Sequence, residues 1–274
     1  MTQVTRTAFF VSDRTGITSE ALGNSLLTQF SDIKIKKISL SFINTLDKAK
    51  KAVNEINQRA QLDGKPPLIF STQITKEYRD LLANSEGIFF DFFDTFISKM
   101  ERALDAESSH KTGLSHGLSS QKNYLGRIDS INFALNNDDG SSIKNYDDAD
   151  IILIGVSRSG KTPTCLFLAL QYGIYAANYP LIEQDLTTDK IPQMLQAHKD
   201  KLFALTINPT HLHKIRSERR SNSVYATLSQ CQKEVRRAES IFAANGIASI
   251  DSSQMSIEEI ATLIINKKNL KHLR

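Results

Sequence analysis

The sequence predicts an α/β protein of two lobes, each a parallel sheet flanked by helices, and three observations carry that reading. Apolar β-forming runs alternate with segments whose apolar residues recur at helical spacing. Each half opens with a strand running into a polar, glycine-containing turn and then a helix. Between the halves the composition shifts to a hydroxyl-rich stretch with little periodicity, and 274 residues is long enough for two domains of ordinary size. The expected division is an N-terminal lobe at 1–105, a linker or mobile loop with a connecting segment at 106–139, and a C-terminal lobe at 140–274.

In the N-terminal lobe, Thr7-Ala-Phe-Phe-Val11 reads as a buried strand. Ser12-Asp13-Arg14-Thr15-Gly16 follows, then a helix over 21–30 for which Thr18 or Ser19 is the expected cap. The hydroxyls of Ser12, Thr15 and Thr18, the Arg14 guanidinium and a helix N-terminus can together hold an anion. An ordinary capped turn between strand and helix uses the same residue types. Ile35–Phe42 alternates apolar with polar residues and is a second strand, and 46–60 is a charged amphipathic helix. Leu68–Ser71 is a third strand, 75–84 a short helix, and 87–94 a fourth strand ending in acids. Functional groups gather at the carboxyl ends of parallel strands, where Asp13, Asp91 and Asp94 fall. A carboxylate there can bind magnesium, orient a nucleophile or cap the next helix; capping is the reading for Asp94.

The stretch 106–122 is polar, and its His110 and His116 are six apart, a spacing of solvated histidines rather than of a metal pair. Tyr124–Leu135 has no clear period, and Asn136–Gly140 is a turn.

The C-terminal lobe holds the most informative stretch. Four apolar residues, Ile151–Ile154, run into Gly155-Val156-Ser157-Arg158-Ser159-Gly160-Lys161-Thr162, with an apolar helix at 164–172 behind. This is the G-x-x-x-x-G-K-[ST] phosphate loop in its strand–loop–helix setting. Glycines permit a tight turn whose N–H groups point inward at phosphate oxygens, and the helix adds its positive end. Lys161 can reach a distal phosphate and the Thr162 hydroxyl can hold a magnesium ion. All eight residues are candidate nucleotide contacts. The C-terminal lobe is therefore P-loop kinase-like, beside a Rossmann-like N-terminal lobe. A strand at 175–181 stopped by Pro180, a short helix at 191–198 and a strand at 201–207 follow. The basic helix 211–220 carries Arg216, Arg219 and Arg220, either a lid over phosphates or a solvated cationic face. A long helix at 228–245, a short strand at 247–251 and a helix opened by the capping box Ser256/Glu259 complete the lobe.

Composition sets outer bounds. With 40% hydrophobic and 23% charged residues the chain is of the soluble globular class. A net charge of +4 is no nucleic-acid footprint. Cys165 and Cys231 make neither a disulfide framework nor a zinc knuckle, and Cys165 reads as a small buried apolar side chain. No apolar run reaches bilayer length and the N-terminus shows no signal-peptide core, so a reducing cytoplasm is the expected location, with no membrane or nucleic-acid partner.

Several motifs together resemble a known family. They are Gly-Val-Ser-Arg-Ser-Gly-Lys-Thr-Pro-Thr at 155–164, Leu-Ala-Leu-Gln-Tyr-Gly-Ile at 168–174 and Ala-Asn-Tyr-Pro-Leu at 177–181. Val-Ser-Asp-Arg-Thr-Gly-Ile-Thr at 11–18, Asp-Asp-Gly at 138–140 and Gln-Cys-Gln-Lys-Glu-Val-Arg at 230–236 add to them. The combination is similar to the bacterial and plastid dikinase regulatory proteins, and Gly160-Lys161 with Gln171-Tyr172-Gly173 resembles the phosphoenolpyruvate synthase branch. The resemblance implies a bifunctional enzyme with phosphoenolpyruvate synthase (pyruvate, water dikinase) as its protein substrate. Such proteins phosphorylate a partner threonine with ADP as donor, switching the partner off. They remove that phosphate by attack of inorganic phosphate, releasing pyrophosphate. Residues 155–162 would be the ADP loop, with Arg158 and Lys161 offsetting charge on the departing AMP and magnesium at Thr162. Ser12, Arg14, Thr15 and Thr18 would hold inorganic phosphate, and Asp13 or Asp91 would take the threonine proton. Family analogy also suggests a homodimer. Three other readings compete: a regulator of pyruvate, phosphate dikinase by the same chemistry, an ATP-dependent small-molecule kinase, and a nucleotide sensor without chemistry.

Overall fold

Two four-stranded parallel sheets, each in the order second–first–third–fourth strand, organise the computed structural model, which describes residues 5–109, 121–140, 145–220 and 223–270. Residues 110–120 of the expected linker, with His110 and His116, lie outside that description. The chain divides into two units, Met1–Gly117 and Leu118–Arg274.

The first unit runs β1 (Thr5–Val11), α1 (Ile17–Leu27), β2 (Lys34–Leu40), α2 (Leu46–Asp63), β3 (Leu68–Ser71), α3 (Lys76–Ala83), β4 (Ile88–Asp91) and α4 (Asp94–Leu104), with sheet order β2-β1-β3-β4. Side chains alternate across a strand, so β1 feeds two cores. Phe9 and Val11 pack with Ala49, Ala52 and Ile56 of α2, whereas Ala8 and Phe10 pack with Leu27, Phe70 and Phe92. The buried α2 positions recur at helical spacing, and the helix starts at Thr45, whose side chain accepts from the Lys48 N–H. α1 approaches the sheet closely through Gly23, where an added Cβ would lie 2.6 Å from the Phe10 ring.

Two local expectations change here. α1 starts four residues before the expected position, and neither Thr18 nor Ser19 caps it. Its N-cap is Gly16, left-handed at φ 81°, and the buried Ser19 hydroxyl instead donates to the Gly16 carbonyl at 2.8 Å. At the start of α4 the capping carboxylate is Asp91 rather than Asp94. Asp91 Oδ1 accepts from the Phe93 N–H at 3.0 Å and the Asp94 N–H at 2.8 Å, because a residue just before the helix can turn back onto its free amides.

The second unit runs α5 (Gln121–Asn136), β5 (Ile151–Val156), α6 (Lys161–Tyr172), β6 (Ala176–Leu181), β7 (Leu202–Thr206), α7 (Pro209–Arg219), α8 (Leu228–Asn245), β8 (Ser249–Asp251) and α9 (Ile257–Lys268), with sheet order β6-β5-β7-β8. Every residue of β5 is buried: Ile152, Ile154 and Val156 enter one core, Ile151 and Leu153 the other. That is how a central parallel strand covered on both faces should look. The segment of unclear period is helix α5; its Ala134 is buried, and Phe133 stacks on Tyr175 with ring centroids 4.7 Å apart. The expected helix at 191–198 is a 3-10 segment, Gln193–Lys201. The capping box is present: Ser256 Oγ accepts from the Glu259 N–H at 3.2 Å and Glu259 accepts from the Ser256 N–H at 2.8 Å.

Pro180 does not stop its strand. It pairs in register with Gly155 inside β6, which is an edge strand. Two residues earlier the Asn178 N–H points away from the sheet, to the Asn137 carbonyl at 3.1 Å. Pro180 shares that outward orientation, so its missing N–H removes no ladder bond. Among the described residues no helix is long and apolar enough to cross a membrane.

Candidate active site

Residues 155–162 run from the end of β5, an inner strand of the second sheet, through a turn at 157–160 into the first residues of α6. Gly155 lies against β7: a Cβ there would come within 2.3 Å of the Leu205 carbonyl oxygen, so no larger residue fits without moving backbone. Gly160 is left-handed at φ 89° and forms the N-cap of α6, which leaves the first amides of the helix without side-chain caps. Arg158 is left-handed as well, at φ 75°, and exposed, so the loop holds a strained non-glycine residue at its tip. The Ser159 hydroxyl is buried and without a partner among the described residues. Unpaired amides, an orphan hydroxyl and a buried cation together suit an anionic ligand.

That cation is Lys161, 4% exposed, whose Nζ donates to the Val156 carbonyl at 2.9 Å. Burial pushes its pKa down to about 8, against the pull of the nearby Asp139 and Asp138 carboxylates. From the sequence these acids read as part of a turn and of a family-like motif, with no role at the loop. Asp138 accepts from the Thr162 hydroxyl at 2.9 Å and from the Asn178 amide, and the same amide lies 3.0 Å from Thr162 Oγ1. The backbone bond from Asn178 to Asn137 is what delivers Asp138 to the loop. Thr162 and Asp138 thus form a pair of hard oxygen donors, the type of set magnesium takes. On the β6 side, an open cleft of about 570 Å³ is lined by Asp139, Ser157, Glu183, Tyr225 and Glu234, among others. Cys165 is buried, its Sγ 3.4 Å from the Ala177 carbonyl, and burial raises its thiol far above the usual range, which leaves it an inert packing residue.

Arg216 fits neither expectation for the basic helix. It is 1% exposed and braces the loop from beneath. Nη2 donates to the Ser157 carbonyl at 3.1 Å and to Glu234 at 2.7 Å, and Nη1 donates to the Tyr225 carbonyl at 3.0 Å. The guanidinium lies 3.9 Å from the Tyr225 ring centroid, and the Tyr225 hydroxyl donates to Ser157 Oγ at 3.0 Å. A planar fork can serve several acceptors at once, which explains arginine there. Arg219 and Arg220 are exposed. Helical periodicity cannot separate a buried arginine from a solvated one, so this brace had no sequence signal.

The other candidates lie in the first unit. Ser12 and Asp13 are buried, while Arg14, Thr15 and Thr18 are exposed on one turn. Ser12 Oγ accepts from the Arg14 N–H at 3.2 Å, and the Ser41 hydroxyl donates to the Thr15 carbonyl at 2.7 Å. Burial raises the Asp13 pKa above the ordinary carboxylate value, and its Oδ2 has no partner among the described residues. Asp91 ends β4, two strands away from β1, hence roughly 10 Å from Asp13 at the usual strand spacing. Beyond its two amide bonds, Asp91 Oδ2 lies 3.5 Å from Arg79. The Ser12–Thr18 turn is thus one cluster and Asp91 stands apart from it.

Comparison with known proteins covers both units. The family described as kinase/pyrophosphorylase matches residues 8–265. A protein of Pseudomonas aeruginosa (strain LESB58) is 50% identical over 269 residues, covering 98% of each chain. Relatives from Alkalilimnicola ehrlichii and Halorhodospira halophila are 51% and 52% identical over 271 residues, covering 99% and 98% of this chain and 98% of their own. All three bear the provisional name phosphoenolpyruvate synthase regulatory protein. With a family match over residues 8–265 and relatives about 50% identical over nearly its full length, this chain belongs to the kinase/pyrophosphorylase family.

Proposed function

We propose that this chain regulates phosphoenolpyruvate synthase by reversible phosphorylation of a threonine on that enzyme, with ADP as donor and inorganic phosphate as the acceptor in the reverse sense. The family and the shared name of the relatives support the regulatory role. The observation that carries the chemistry is Lys161: a buried ammonium that spends one of its three hydrogens on Val156 keeps two for phosphate oxygens. In the inactivating step the threonine oxygen bonds to the β-phosphorus and the bond from that phosphorus to the bridging oxygen breaks. AMP leaves with the electron pair, and Lys161 and Arg158 offset its charge. The threonine proton passes to a carboxylate. The oxygens of Asp91 are already engaged by two amides and Arg79; Asp13 is buried with an Oδ2 free among the described residues, and the second unit itself offers the exposed Asp139. In the activating step a phosphate oxygen attacks the phosphothreonine phosphorus and the bond to the threonine oxygen breaks. That oxygen takes the proton given up by phosphate, and pyrophosphate leaves. A magnesium ion bound by Thr162 and Asp138 would screen the phosphate charges.

The test is transfer of label. Incubating the pure chain with phosphoenolpyruvate synthase and ADP labelled at the β-phosphate should place label on a synthase threonine, whereas γ-labelled ATP should not. Label from ATP, or binding without transfer, overturns the reading. Ser12, Arg14, Thr15 and Thr18 are assigned to the inorganic phosphate. Arg14→Ala should raise the phosphate concentration needed for half-maximal dephosphorylation about tenfold, since a charge-assisted contact contributes about 1.5–3 kcal/mol. An unchanged phosphate dependence removes that loop from the mechanism.

A further inference from the structure

On the β6 side of the phosphate loop, the open cleft of about 570 Å³ runs between the turn after β6 and the segment before α8. Ser157 and Asp139 bring it to the loop; Ile182 and Glu183 come from the turn, Val224 and Tyr225 from the segment. A narrower cleft of about 290 Å³ shares Glu183, Gln230 and Glu234 with it and continues to Leu186 and Arg237. The two make one groove that leads away from the loop. We propose that this groove seats the threonine-bearing segment of the protein substrate in extended form, with a positively charged side chain within a few residues of the threonine and an apolar one beside it. The proposal rests on the transfer to a protein threonine proposed above and adds where the acceptor chain lies and what it carries.

Charge selects the occupant. Three carboxylates line the wider cleft, Asp139, Glu183 and Glu234, and among the described residues no lysine, arginine or histidine does. Glu234 is already engaged, accepting from Arg216 at 2.7 Å and from Gln230 at 2.9 Å. Asp139 and Glu183 are exposed and make no hydrogen bond or salt bridge among the described residues. Two such carboxylates repel the phosphates of a nucleotide and attract a cation. Lys161 and Arg158 stand on the loop itself, where bound phosphates bring their own negative charge. The narrower cleft adds Lys233 and Arg237, the latter paired with Asp189 at 3.4 Å. The acidic end of the groove is therefore the end at the loop, and the positive charge of the guest belongs close to its threonine.

Apolar surface narrows the choice further. Ile182 is 52% exposed and Val224 is 78% exposed, beside the two free acids. A lone metal ion gains nothing from that surface, whereas an apolar side chain of a polypeptide gains by covering it.

Both sides of the groove are held in place. Asp185 Oδ2 accepts from the Ile182 N–H at 3.0 Å and from the Tyr179 hydroxyl at 3.2 Å, which fixes the turn carrying Ile182 and Glu183. On the other side the Tyr225 hydroxyl donates to Ser157 Oγ at 3.0 Å, and the Tyr225 carbonyl accepts from Arg216. A groove ordered in advance loses little entropy when a segment enters it.

The test is steady-state transfer from labelled ADP with the synthase as the varied substrate, beside calorimetry with ADP alone. Glu183→Lys should raise KM for the synthase about tenfold while ADP affinity stays within about twofold. Ile182→Ser should raise it about threefold, the scale of one uncovered apolar contact. Glu258→Lys, the same reversal on α9 across the sheet, should leave KM unchanged. Both native cysteines are buried, so a benzophenone maleimide on the Val224→Cys variant marks that position alone. Its photocrosslinks should fall on the synthase peptide that holds the labelled threonine, and that peptide should carry a basic residue near it. The proposal is overturned if Glu183→Lys leaves KM as it was, if ADP affinity falls equally, if Glu258→Lys raises KM as much, or if the crosslinks fall outside the threonine peptide. Failure of the underlying reading is separately visible: the unaltered chain would then transfer no label, while the crosslinks still report whether the groove docks the synthase.

Discussion

The two units of this chain share a topology and differ in what they bury at the same place. Each has four parallel strands with the first in second position, and in each the first strand runs into a left-handed glycine that starts a helix, Gly16 in one and Gly160 in the other. Beside Gly160 the buried charge is a lysine; in the turn before Gly16 it is an aspartate. Desolvation acts oppositely on the two, lowering the Lys161 pKa and raising that of Asp13. The turn of the second unit holds a buried cation, while that of the first offers an exposed Arg14 over a buried acid. Topology puts the two turns at equivalent places, and a single buried charge of opposite sign distinguishes them.

That comparison breaks most directly at the lysine. Lys161→Ala should reduce phosphoryl transfer by about three orders of magnitude, the scale of losing a charged group that meets the migrating phosphate, while Arg14→Ala leaves the ADP-dependent step within about threefold. Single-turnover assays with labelled ADP measure both, and equal losses would erase the distinction between the units.

A smaller but still large effect is expected at Arg216. Arg216→Met leaves Glu234 unpaired and removes support from Ser157, which should lower stability by about 3–5 kcal/mol. Denaturant unfolding with probes in each unit should show the loss in the second; the same loss reported from both units would mean they unfold as one.

The two glycines allow a matched pair. Gly16→Ala and Gly160→Ala each force a β-carbon into the left-handed region, at a cost of about 1–2 kcal/mol. Stability should fall in both, further in Gly16→Ala because its β-carbon would also lie 3.2 Å from Ser41 Oγ whereas that at Gly160 meets open space, and ADP affinity should fall only for Gly160→Ala. Loss of ADP binding in Gly16→Ala would contradict the separate roles.

The comparison is sharpened further by pH. The folded chain sheds the Lys161 proton near pH 8, whereas the unfolded chain keeps it to about 10.5. Burial of the ammonium therefore destabilises the fold fully below pH 8, and stability should rise between pH 8 and 10.5 relative to Lys161→Met, read as a difference in denaturant midpoint. ADP prefers the ammonium, so its affinity should fall over the same range and binding near pH 8 should take up a proton, measurable by calorimetry in buffers of different ionisation enthalpy.

Much of this was legible from residues alone. The strand–loop–helix around Gly155–Thr162 is contiguous, and its backbone follows from spacing. The parallel architecture follows from alternating strand and helix patterns, and the Ser256/Glu259 capping box from a three-residue offset. Caps were harder: Thr18, Ser19 and Asp94 had the right residue types, but Gly16 and Asp91 held the right backbone positions. Pro180 looked like a stop because sequence does not say which edge of a strand faces outward.

What the sequence determined by itself was the set of groups that are neighbours along the chain: eight loop residues, their glycines and their lysine. The tertiary structure alone decided which distant groups surround them. Asp138 reaches Thr162 across 24 positions, Arg216 reaches Ser157 across 59, and Ser252 reaches Ser159 across 93. Those partners carry no local period, because they are set by strand pairing in a parallel sheet and by the demand that each buried polar group find a mate.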